Sequence, residues 1–164
     1  MDLIIAKGCK LGSVFVSTAS LPAGFDKLTP PAQLATLERG AASGVPGKLL
    51  YGAALQRLGR TRSAERVFAA AANEAPHDVE ARVADAVGRF DKARPAAAFS
   101  RLGPLTRTFP GKATVRFHLG LLLLWSGETR EAKRQLQRAI AVEPGSPLAD
   151  QARRYLTELR KAGI

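Results

Sequence analysis

The chain has 164 residues, 46% of them hydrophobic, enough for one soluble domain with a continuous apolar core. Aromatics make up only 6% while Ala and Leu recur and Val and Ile are sparse, a balance that disfavours a sheet and points to an all-α fold. The formal charge of +11 directs attention to acidic partners, yet no stretch gathers it into a basic tail, and the lone Cys9 excludes an intrachain disulfide.

Residues 1–25 match no helical pattern. Leu3-Ile4-Ile5 and Val14-Phe15-Val16 favour extended structure, whereas Gly8, Gly12, Ser17, Thr18 and Ser20 favour loop, so an extended or disordered N-terminal segment is expected. Asp2 stands where a secretory leader would carry a basic residue, and Lys7 cuts the apolar run Leu3–Ala6 short, so the chain reads as cytoplasmic. Residues 26–44 read as a capping helix. Thr29-Pro30-Pro31 is a helix start, and Leu34, Leu37 and Ala41 give one apolar face that ends before Gly44.

From residue 45 the sequence repeats. Pro76, Pro110 and Pro144 stand 34 residues apart, each where a helical pattern gives way to a loop. In the frame that ends at Pro76, Tyr51-Gly52, Leu55, Gly59, Ala64, Phe68 and Ala71 recur at the offsets of Leu119-Gly120, Leu123, Gly127, Ala132, Leu136 and Ala139 in the frame that ends at Pro144. Small residues at these places suit a helix pair. Gly52 and Gly120 allow close approach, Gly59 and Gly127 can end a helix in the left-handed conformation, and Ala64 and Ala132 fit where an antiparallel partner crosses.

The middle unit, 79–112, is degenerate. Asp85-Ala86 replaces the apolar-Gly pair, Arg89 replaces an apolar residue and Ala93 replaces Gly, while Ala98, Leu102, Leu105 and Pro110 keep the register. Gly103-Pro104 predicts a kinked or shortened second helix there, because an interior proline removes a hydrogen bond and clashes with the preceding turn. After Gly145-Ser146-Pro147, residues 147–164 read as a C-terminal capping helix with Leu148, Ala152, Tyr155, Leu156 and Leu159 on one face. The apolar run Leu119–Trp125 is too short to span a bilayer, which takes about 20 residues.

These residues resemble the tetratricopeptide repeat, with its Leu-Gly, later Ala, apolar, Ala and closing Pro, over residues 45–146; the Trp of that pattern is replaced by Lys48, Arg82 and Arg116. The resemblance implies a short right-handed α-solenoid of three antiparallel helix pairs that works as a non-catalytic protein-protein interaction module or assembly scaffold. It also implies a concave peptide-binding groove lined by the first helix of each unit. The places are Leu49, Ala53, Gln56 and Arg57, then Val83, Val87, Phe90 and Asp91, then Phe117, Leu121, Leu124 and Trp125. The cationic clamp with which some members hold an acidic carboxyl terminus is missing from these places, so the expected ligand is an apolar or amphipathic peptide, anchored by Phe90, Phe117 and Trp125. Ordinary core packing is the competing reading of those rings. The chain's own residues 3–16, or a second copy in a homodimer, are other candidates for the groove.

No catalytic, metal-binding or cofactor-binding constellation is legible. His77 and His118 fall in different units, Cys9 has no suggestive His, and Gly40, Gly44 and Gly47 lack the Lys-Ser/Thr of a phosphate loop. Glu128 and Glu131 sit where a helix N-terminus favours acids. The alternative function is an Arg-rich surface for acidic partners such as RNA, through Arg60, Arg62, Arg66, Arg94, Arg101, Arg107, Arg130, Lys133, Arg134 and Arg138.

Overall fold

A computed structural model describes residues 21–164, and the expected extended segment therefore lies outside it apart from its last five residues. The described residues contain eight α-helices and no strand. They fall into two compact units divided between Gly88 and Arg89. None of these helices is long and apolar enough to cross a membrane.

The first unit opens with a one-turn 3-10 helix, Phe25–Lys27, held to the chain that follows by a hydrogen bond from Gln33 Nε2 to the Phe25 carbonyl at 3.1 Å. Four helices follow: α1 (Pro30–Ala41), α2 (Val45–Arg57), α3 (Thr61–Glu74) and α4 (Val79–Gly88). Each packs on the next, and α2 also meets α4. The second unit repeats the scheme with α5 (Ala96–Thr108), α6 (Ala113–Trp125), α7 (Thr129–Val142) and α8 (Pro147–Lys161), where α6 also meets α8.

The 34-residue spacing of the sequence is thereby expressed in the helix boundaries. Helices begin at Val45, Val79, Ala113 and Pro147, and the helices that follow α2, α4 and α6 end at Glu74, Thr108 and Val142. Burial follows the same frame, because α3 buries Ala64, Phe68 and Ala71, α5 buries Ala98, Leu102 and Leu105, and α7 buries Ala132, Leu136 and Ala139. The degenerate middle stretch keeps this pattern. Each triad sits at i, i+4 and i+7, one buried apolar stripe along its helix. Full burial of a ring such as Phe68 contributes roughly 2–3 kcal/mol.

Two devices join consecutive helices. At Gly59 and Gly127, φ is +72° and +86°, and each helix end is closed by a pair of backbone bonds: Gly59 N–H to Gln56 O and Arg60 N–H to Leu55 O, then Gly127 N–H to Leu124 O and Glu128 N–H to Leu123 O. Only glycine adopts that φ without cost. The second device is close approach. A Cβ on Gly52 would collide with the Phe68 ring, and one on Gly120 would lie 3.0 Å from Leu136 Cγ.

In the middle stretch the expected shortening does not fall on α5, which runs unbroken through Pro104 to Thr108. Gly103 eases the strain: the clash of a proline ring with the residue before it involves that residue's Cβ, which glycine lacks. The shortening falls on α4, which has 10 residues where α2 and α6 have 13. Ala93 stands in the place of Gly59 and Gly127, so a left-handed closure is unfavourable. The chain instead leaves the helix at Gly88 and turns at Asp91, whose carboxylate accepts the Ala93 N–H at 2.9 Å.

Candidate functional site

The twelve places that the repeat frame assigns to a groove separate into two classes. Leu49, Ala53, Val83, Val87, Phe117 and Leu121 are buried, the last four completely, and serve as core. Their burial accords with the competing reading, core packing. The physical reason lies in the first helices themselves: α6 buries residues on several sides, from Ala113 through Leu122, so no single apolar stripe distinguishes a groove face from a core face. Phe117 in particular is held edge-on by His118, at 5.2 Å between ring centroids, and by Tyr155 at 5.8 Å.

The remaining places keep some exposure. In the first unit Gln56 and Arg57 end α2 and are half-buried. In the second unit Phe90, Asp91, Leu124 and Trp125 lie at the edge of the fold. Phe90 leaves the turn after Gly88, Trp125 is the last residue of α6, and the two half-buried rings meet at a tilt of 52° with centroids 5.1 Å apart. Each ring is buried in part and keeps part of its surface exposed. Asp91 is exposed and takes part in the turn itself. The Ala93 N–H hydrogen bond, followed by the Arg94 guanidinium 3.4 Å away, holds its carboxyl below the usual range and commits it to the turn.

His118 plays a different part from a catalytic histidine. It is fully buried, its Nδ1–H donates to the Thr114 carbonyl at 2.7 Å, and the Thr114 hydroxyl lies 3.3 Å from the same nitrogen. Burial pushes its pKa down to about 4, so it is neutral at physiological pH. Among the described residues no three His, Cys, Asp or Glu side chains come together as a metal site would require.

Two features had no signal in the sequence pattern. The first unit contains a cleft of about 510 Å³ bounded by Leu21 and Pro22 and by α1 and α2, with Arg39, Thr36 and Ser43 as its polar lining. It forms where Gly47 packs directly on the Gly40 carbonyl, a contact that two separated glycines in a sequence do not announce. The second is a carboxylate at the start of α6. Glu143 Oε2 accepts the Ala113 N–H at 2.7 Å and Oε1 lies 3.9 Å from Lys112, tying the end of α7 to a helix N-terminus thirty residues earlier.

Comparison of the chain with protein-family models, with curated proteins and with solved structures finds no match.

Proposed function

We propose that the protein is a non-catalytic helical-repeat adaptor of the tetratricopeptide type, which captures an apolar or amphipathic peptide on the aromatic edge of its second unit. The observation that supports this reading is the Phe90–Trp125 pair, two large rings in contact yet only half-buried beside Leu124, on a scaffold whose other apolar groove candidates already serve as core. The recurrence of helix starts at 34 residues and the burial of equivalent triads favour the repeat reading. Such an edge gives a peptide one desolvated anchor point and leaves register to backbone and rim contacts.

Trp125 is the only tryptophan, so its emission reports on this edge directly. Amphipathic peptides selected on the whole protein are titrated while that emission is followed, and Phe90→Ser and Trp125→Ser, the second of which has no tryptophan left, are compared with wild type by anisotropy of the labelled peptide and melted in parallel. Capture lost by more than about tenfold with little loss of melting temperature supports the proposal, whereas peptides held equally well by both variants refute it.

A further inference from the structure

The helices α3, α5 and α7 occupy one place in the repeat frame and bury equivalent triads, so their outer faces can be compared position by position. α7 carries Arg130, Lys133, Arg134, Gln137 and Arg138 at i, i+3, i+4, i+7 and i+8, a single stripe of the helix with no apolar side chain in it. At the corresponding places α3 has an acid, Glu65, for Lys133 and a neutral Ala70 for Arg138, and α5 has no charge at all. A generic solvated surface would not single out one of three equivalent helices.

Among the described residues, acids neutralise only one cation of this stripe, Arg134. Glu131 is occupied on both oxygens, by Arg134 at 2.7 Å and by the Gln135 amide at 2.7 Å, and Arg130, Lys133 and Arg138 form no ion pair among the described residues. A further cation joins from α6. Arg116 is half-buried and donates to Gln135 Oε1 at 3.3 Å, and after burial itself the nearby charge of Arg138 is what lowers its pKa. Its counterpart in the first unit, Lys48, is instead paired with Glu74 at 2.7 Å. An anion placed between cations that repel each other stabilises both.

The chemistry of the stripe selects among polyanions. With no apolar residue, it offers neither the aromatic anchors of a protein hot spot nor the side chains that would enter a lipid layer. Arg130, Arg134 and Arg138 rise along the helix in steps of about 6 Å, a spacing suited to successive phosphates of one strand, and guanidinium forks match phosphate oxygens bidentately. We infer that the outer face of α7, with Arg116, binds the phosphate backbone of a nucleic-acid strand without base specificity. This surface is separate in composition from the aromatic edge and does not depend on the peptide reading.

The test is fluorescence anisotropy of a labelled oligouridine RNA with the full chain, between about 50 and 300 mM KCl. Arg130→Gln/Lys133→Gln/Arg138→Gln is compared with Arg60→Gln/Arg62→Gln/Arg66→Gln, which removes equal charge from the first unit; all six positions are solvent-facing or nearly so. Removing three phosphate contacts is expected to weaken binding at low salt by more than about tenfold and to flatten the log–log salt slope by about two, while the control triple stays within about threefold of wild type. Lack of saturable binding by the wild type at low salt overturns the inference. So does equal weakening by the control triple. Polyglutamate, or vesicles of zwitterionic and anionic phosphatidyl lipids, competing more strongly than unlabelled RNA would assign the face to an acidic protein or a membrane and likewise overturn it.

Discussion

His118→Leu tests whether the second unit is built around a neutral histidine. In the unfolded chain the imidazole titrates near the ordinary 6.5, and in the fold it titrates at about 4 because burial excludes the charged form. Between those pH values the unfolded chain holds a proton that the folded chain does not. Stability therefore falls as the pH drops through that window, and is independent of this group above it. A tenfold difference in proton affinity between the two states corresponds to about 1.4 kcal/mol, so the full window amounts to on the order of 3 kcal/mol. Urea unfolding followed by Trp125 emission, which reports the second unit, is measured from neutral pH down to about 4.5 for wild type and variant. Carboxylates that titrate at the low end act on both proteins and cancel in the difference. The wild type is expected to lose about 2–3 kcal/mol relative to the leucine variant on going from neutral pH to the acid end. A difference that stays constant within about 0.5 kcal/mol would show that His118 is not desolvated as its geometry implies.

Other perturbations follow from the contacts between helices. Gly52→Ala drives a methyl into the Phe68 ring and should cost about 2–3 kcal/mol, more than Gly120→Ala, where the flexible Leu136 side chain can give way; chemical denaturation of the two variants ranks them. Glu143→Gln keeps an acceptor for the Ala113 N–H but removes the charge at the start of α6, so a loss of about 0.5–1 kcal/mol that shrinks in high salt is expected from melts at two ionic strengths. Ala93→Gly combined with Asp91→Ala removes both the barrier to a left-handed residue and the turn that replaces it. Backbone carbon chemical shifts of residues 89–91 should move toward helical values, with a change in Trp125 emission as Phe90 withdraws; unchanged shifts would refute the account of why α4 ends early.

Much of the helical frame was legible because its markers are backbone chemistry. Pro76, Pro110 and Pro144 end helices through their own geometry, and Gly59 and Gly127 have φ values that other residues avoid, so spacing alone placed those boundaries. The site was less legible. Whether Val83 or Phe117 faces a ligand or the core depends on what covers it, and a helix apolar on several sides carries no periodic record of that. The unbroken course of α5 through Pro104 depended on a neighbour, Gly103, whose significance is the absence of a side chain. The Phe90–Trp125 pairing joins residues 35 positions apart through a turn that the repeat pattern does not contain.

That turn links the two observations that bear most on function. In the regular units the residue at the place of Ala93 is a glycine, the first helix runs three residues further, and the place of Phe90 falls inside it, at Gln56 and Leu124. With alanine there, reaching the left-handed region costs roughly 1–2 kcal/mol, about as much as one Asx turn returns through its hydrogen bond. The chain accordingly gives up the last turn of α4 and forms a loop from those residues. Phe90 is then no longer fixed to the surface of its own helix and swings against Trp125, where it is held by ring contact rather than by backbone hydrogen bonds. The loss of a repeat signature and the gain of a half-buried aromatic pair are in this way one change, made at the point where the fold divides between Gly88 and Arg89.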